Sequence, residues 1–180
     1  MNALQAGPVS DALVITWRNL KRIPRIPELA IFAILQSIMF VLLFAFVFGG
    51  AIPLPDGGDY KEFLMPGIFA QTIAFASATT AIGMAEDMSK GLIDRFRSLP
   101  MARSAVLAGR TVADTIYQAG ILVVLMLAGL VVGWSVNNGL AKFVLAVILL
   151  LAFAHVMAWI GIWIGLAVPN TETAQQLTFV

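Results

Sequence analysis

Gly120–Gly133 reads "GILVVLMLAGLVVG", an unbroken apolar run with no charge and no hydrogen-bonding side chain. A hydrocarbon core about 30 Å thick needs roughly 20 residues of helix rising about 1.5 Å each. Carried back to Val112, the run reaches that length and defines a membrane span over 112–133. Working outward, three more stretches qualify: 29–48, interrupted only by Gln36 and Ser37; 63–85, rich in Ala, Gly, Ser and Thr; and 143–168. Four spans account for a composition of 60% hydrophobic and 12% charged residues, against about 25% charged in soluble domains. The expected class is all-α, a polytopic membrane helical bundle forming one domain over 1–180. The first apolar run is too long and too far into the chain for a signal peptide, and no A-x-A site follows it. With no cysteine in the chain, disulfides and thiolate metal sites are excluded.

Basic residues orient the spans. Arg18, Lys21, Arg22, Arg25, Lys90, Arg95, Arg97, Arg103 and Arg110 fall on one side, and only Lys61 and Lys142 on the other. The expectation is a multi-pass protein of the cell membrane with a cytoplasmic N-terminus and central loop. Residues 10–23 form an amphipathic helix on the membrane surface. Leu13, Trp17, Leu20 and Ile23 fall to one side and Arg18, Lys21 and Arg22 to the other, with Val14 and Ile15 blurring the division. Such a helix suits the headgroup boundary, its basic face drawn to anionic lipid. Pro24 and Pro27 then redirect the chain into the first span.

The second span is poor in large apolar residues. Gly67, Ala70, Ala74, Ala78, Ala81 and Gly83 allow close helix contact, and Gln71, Thr72, Ser77, Thr79 and Thr80 can bond to neighbouring helices. Tight packing explains this pattern; a wall facing the transported molecule is the sharper alternative, with Gln71, Thr72 and Thr79 as its residues.

Glu86–Pro100, within a cytoplasmic loop over 86–110, reads "EDMSKGLIDRFRSLP". Met88, Leu92, Phe96 and Leu99 recur on one helical face. Glu86 and Asp87 stand at the start and Arg95 and Arg97 near the end, as the helix dipole favours. Lys90 and Asp94 are spaced to pair, and Ser104 can cap the helix that follows. The residues leave two roles open: packing beneath the bundle, or docking a cytoplasmic partner. No phosphate-binding G-x-x-x-x-G-K-[ST] loop occurs, so ATP chemistry must come from elsewhere.

The acid Glu86, then Lys90-Gly91-Leu92-Ile93-Asp94 and the Ser98-Leu99-Pro100 ending resemble the cytoplasmic loop of type-2 permeases of ATP-binding cassette (ABC) transporters. The likeness is nearest the branch associated with daunorubicin-type drug resistance. It extends along the chain, with "DRFRSLPMARSAVLAGR" its most specific part. The resemblance implies six spans in the whole protein, a second permease chain in a homo- or heterodimer, and a separate ATPase subunit carrying ATP and magnesium. Glu86–Pro100 would be the coupling helix. Its polar contacts would be Glu86, Asp87, Asp94, Arg95 and Arg97, with Lys90, Gly91 and Pro100 in the same docking segment and Phe96 as anchor. The cargo implied is drug-like or lipid-like. Polysaccharide or other lipid-linked cargo, a non-transporting scaffold and an ion-coupled transporter are the rivals. No cofactor bound by this chain, no catalysis and no nucleic-acid partner are expected. Residues 173–180 read as the start of a fifth, truncated span.

Isolated polar residues remain. His155, near the middle of the fourth span, is either a neutral residue bonded to a neighbouring helix carbonyl or part of a pathway with Trp159. Asp114 lies one turn after Arg110, as a local ion pair or a contact to the coupling helix. Trp134 and Trp163 read as interfacial anchors. No His, Asp and Glu cluster has metal spacing.

Overall fold

In a computed structural model the chain is described over residues 7–22, 27–48, 60–92, 103–137, 139–168 and 170–178. These residues form helices α1 (Pro8–Arg22), α2 (Pro27–Leu42), α3 (Tyr60–Ser89), α4 (Arg103–Val132), α5 (Leu140–Ala167) and α6 (Thr171–Thr178), with a π-helical segment Leu43–Phe48 continuing α2. No strand occurs among the described residues. The all-α class therefore holds.

Among the described residues three helices, α3, α4 and α5, are long and apolar enough to cross a membrane. The first expected span, 29–48, is helical throughout, but its register changes at Leu43, and the shorter apolar run Ile34–Val47 lies within it. Outward-facing Ile31, Phe32, Leu35, Phe46, Val131, Leu149 and Trp163 are exposed. A soluble protein would not tolerate so much apolar surface, whereas hydrocarbon solvates it.

α3 and α5 pack side by side along much of their length. Small residues make this possible. Ala154, Ala158, Gly161, Ile162 and Gly165 are the buried residues of α5, and a Cβ on Gly161 or Gly165 would lie 2.5 Å from the carbonyl oxygen of Ser77 or Ala81. This is a small-xxx-small contact of the membrane type. On α3 itself only part of the expected small-residue face is used. Ala78 and Ala81 are buried, but Gly67 is exposed with open space around it.

α1 packs on the beginning of α4. Asp11, Ile15 and Thr16 form its buried side, while Val9, Leu13, Val14 and Trp17 are exposed. Ile15, the residue that blurred the two-sided pattern, thus faces a third direction, toward α4. Gly109 permits the approach, since a Cβ there would lie 2.6 Å from the Ala12 carbonyl oxygen. The Thr16 hydroxyl lies 3.0 Å from the Gly109 carbonyl oxygen.

The far end, opposite α1, is closed by caps. Gly133, at φ 98°, ends α4 with Gly133 N–H donating to Leu130 O (3.1 Å) and Trp134 N–H to Gly129 O (2.9 Å), the paired bonds of a Schellman motif. Lys61 Nζ donates to Val132 O at 2.9 Å, placing a cation on the carbonyl end of a helix. Trp134, expected as an interfacial anchor, is half-buried and meets Phe69 edge-on at 5.6 Å. At the other end, Asn170 caps α6 through its Oδ1, which accepts from Thr173 N–H at 2.8 Å. α6 packs back on α3 with Ala174 fully buried.

Candidate functional site

The segment expected as a separate coupling helix is divided in the structure. Glu86–Ser89 are the last turn of α3, not the first turn of a new helix. The chain leaves that turn at Lys90–Gly91, where Gly91 adopts φ 65° and its N–H donates to Met88 O at 3.0 Å. A side chain at Gly91 would be strained, so glycine suits this exit. Asp94, Arg95, Phe96, Arg97 and Pro100 lie outside the described residues. Ser104 is the second residue of α4, so the cap of that helix also falls outside them.

Glu86 and Asp87 are therefore at a helix C-terminus, where the dipole disfavours anions. Each has a cation that offsets this. Lys90 Nζ pairs with Glu86 Oε1 at 2.6 Å, in the favourable Glu-before-Lys order; the expected Lys90–Asp94 pair lies outside the described residues. Asp87 is buried and pairs with Arg110 of α4. It points into the bundle rather than out toward a partner. The expected local pair of Arg110 with Asp114 gives way to this longer-range one. Arg-before-Asp is the poorer order on a helix, and α3 brings a second carboxylate within reach. Asp114 Oδ2 instead accepts from Thr80 Oγ1 at 3.0 Å.

Arg110, Thr111, Asp114, Thr115 and Gln118 form a polar stripe on one side of α4. Their i, i+1, i+4, i+5, i+8 spacing repeats each turn. Thr111 is fully buried. Met84 Sδ lies 3.8 Å from Arg110 Nη1, and the guanidinium occupies the space beside Gly83. Two buried atoms of the stripe, Arg110 Nε and Gln118 Oε1, have no hydrogen-bond partner among the described residues.

His155 joins the stripe from α5, and its tautomer follows from its neighbours. Thr115 Oγ1 lies 2.8 Å from Thr111 O and 3.0 Å from His155 Nδ1. Trp159 Nε1 lies 3.1 Å from His155 Nε2. An indole N–H only donates, so Nε2 must accept; the Thr115 hydrogen is directed at Thr111 O, so Nδ1 must donate. The ring in this arrangement is neutral with its proton on Nδ1. The bond runs to a hydroxyl of α4 rather than to a backbone carbonyl.

Except for Trp159, which bonds to His155, the other expected site residues stand apart from this cluster. Gln71 and Thr79 are exposed on α3, in line with exposed Phe75 between them, and Thr72 is half-buried. Trp159 is exposed beside His155, at ring centroids 6.4 Å apart. On α1, Trp17, Arg18 and Lys21 are exposed, with Lys21 Nζ 5.1 Å above the Trp17 ring. Arg22 ends the helix, and its side chain is outside the described set. Among the described residues no group of three His, Asp or Glu could hold a metal ion.

Sequence reasoning missed Thr111, Thr115 and Gln118. Their spacing around Asp114 was the available signal.

A helical bundle of this length and outward grease, with a polar stripe of α4 turned inward, is a multi-pass membrane protein. Residues 11–180 match the family model of the ABC-2 type transporter, and the chain belongs to that family. It is 29% identical over 176 residues to the daunorubicin resistance ABC transporter permease protein DrrB1 of Streptomyces coeruleorubidus. That alignment takes in 98% of this chain and 62% of the relative. No solved structure matches.

Proposed function

We propose that this chain is the membrane-embedded part of an ATP-driven exporter, moving amphipathic drug-like or lipid-like molecules outward with ATP hydrolysed on a separate subunit. The observation that carries the reading is the family match over 11–180, with a named drug-resistance permease aligned along nearly the whole chain. The missing phosphate loop agrees with an ATPase on another chain.

In this reading the end carrying α1 is cytoplasmic, as the nine-to-two split of basic residues favours. The loop between α3 and α4 receives the ATPase, with the exposed Lys90, its partner Glu86 and the residues through Pro100 as the docking surface. Asp87 has a different part: its bond to Arg110 joins the root of that loop to α4, so a push on the loop bears on the contact between the two spans. Exposed Trp17, Arg18 and Lys21 lie against lipid headgroups. The exposed line Gln71–Phe75–Thr79, with Trp159 on α5, faces the cargo or a second permease chain.

The test is reversal of Asp94 and Arg97 together. Retention of the ATPase by the purified permease should fall, drug accumulation in cells should rise, and membrane insertion should be unchanged. Full ATPase retention and unchanged drug levels would remove the docking assignment.

A further inference from the structure

The seam between α3 and α4 changes character along its length. Away from α1 it is dry. Met65, Ile68, Phe69 and Ile73 of α3 are buried in one cluster with Ile121, Leu122 and Leu125 of α4. Gly129 completes that half, because a Cβ there would lie 2.5 Å from the end of Met65. Toward α1 the character reverses. The links are Thr80 to Asp114 and Asp87 to Arg110, joined by His155 of α5 to Thr115.

On either side of the polar half, helices are locked by backbone approach. α5 lies on α3 at Gly161 and Gly165, and α1 lies on α4 at Gly109. We propose that the half of the bundle nearest α1 consists of two rigid pairs, α3 with α5 and α1 with α4. These pairs part along the polar seam while the dry half stays closed as a fulcrum.

Three physical points support this. A hydrogen bond between polar side chains exchanges for one to water at small net cost. Interdigitated apolar contacts are packed more closely than lipid chains would refill them, so parting them loses dispersion attraction. Arg110 Nε and Gln118 Oε1, buried and unsatisfied when the seam is closed, would gain water as partners when it opens, so the closed form holds groups that opening relieves. The opened cleft would be lined by Thr80, Asp87, Arg110, Asp114 and Thr115, hydrophilic and widest at the α1 end. This goes beyond the exporter reading and does not require it.

The chain has no cysteine, so spin labels can be placed on an otherwise unaltered background. Three double-cysteine forms of the full chain in lipid nanodiscs suffice, all at exposed positions. Ser89→Cys with Ser104→Cys reports the basal ends of α3 and α4. Phe63→Cys with Val131→Cys reports their far ends, and Ser89→Cys with Leu166→Cys reports α3 against α5. Distances from double electron–electron resonance should be broad or two-peaked for the first pair and narrow for the other two. Adding Arg110→Met should move the first pair toward its longer distance and leave the others in place. A first pair as narrow as the second, unmoved by Arg110→Met, would overturn the proposal. So would equal broadening of all three. No ATPase is present in this measurement, so its outcome is separate from that of the docking test.

Discussion

Gly161 offers the sharpest test of the packing. An alanine there places its Cβ 2.5 Å from the Ser77 carbonyl oxygen and 3.0 Å from Thr80 Cβ. The nearest neighbour is backbone, so it cannot turn aside as a flexible side chain would. To recover an ordinary contact near 3.4 Å, the helices must separate locally by about 0.9 Å, loosening their neighbours along the same stripe. Overpacking of this kind costs about 1–3 kcal/mol. Alanine also favours helix over glycine by about 1 kcal/mol, which would obscure the cost in a single variant. Gly120→Ala removes that ambiguity. Gly120 is also inside a helix but has nothing within 4 Å of its would-be Cβ, so it shares the propensity gain without the clash. The two variants should therefore differ by about 1–3 kcal/mol, the clash alone. Unfolding in mixed micelles with increasing SDS fraction, followed by helical circular dichroism, gives the comparison. Gly120→Ala should match or exceed the parent midpoint, and Gly161→Ala should fall below it. Equal midpoints would mean that α3 and α5 do not meet at these glycines.

Three further outcomes follow from single features. Arg110→Met takes the guanidinium away from the buried Asp87 carboxylate and should cost about 1.5–3 kcal/mol, part of it restored by adding Asp87→Leu; the same SDS titration reads both. Gly133→Ala, at φ 98° in the cap of α4, should lower stability by about 1 kcal/mol, whereas Gly7→Ala, in open space, should leave the midpoint in place. The single histidine permits an unambiguous 15N NMR experiment on selectively labelled protein. Nδ1 should carry the proton at neutral pH, and Trp159→Phe should perturb Nε2 most; a proton on Nε2 would contradict the described network.

The long helices were legible because lipid imposes one simple rule: a run of about 20 apolar residues has to be helical. The ends were less so. Glu86 and Asp87 looked like a helix start because acids favour that position, and nothing local revealed that Arg110, 23 residues onward, would stand opposite and reverse the argument. Periodicity gave a two-sided α1, but its third face became visible only with α4 in place, since Ile15 is apolar whether it meets lipid or protein. The glycines of α5 are spaced for close contact, but a glycine pair in so apolar a helix does not say which neighbour it meets. Asp114 and His155 stood out singly because charge and aromatic nitrogen are rare in spans. The threonines and glutamine that complete their stripe did not, because hydroxyl and amide groups pass easily in a membrane helix.

The contact of Thr16 with the Gly109 carbonyl joins positions 93 residues apart. A ribosome adding about 5–20 residues per second makes α1 seconds before the surface it rests on. In the proposed orientation lipid headgroups receive that helix during the interval, and its greasy flank serves as temporary lodging. Changes that weaken this stopover, such as Trp17→Glu, would then lower the yield of correctly assembled protein more than the stability of what has already assembled.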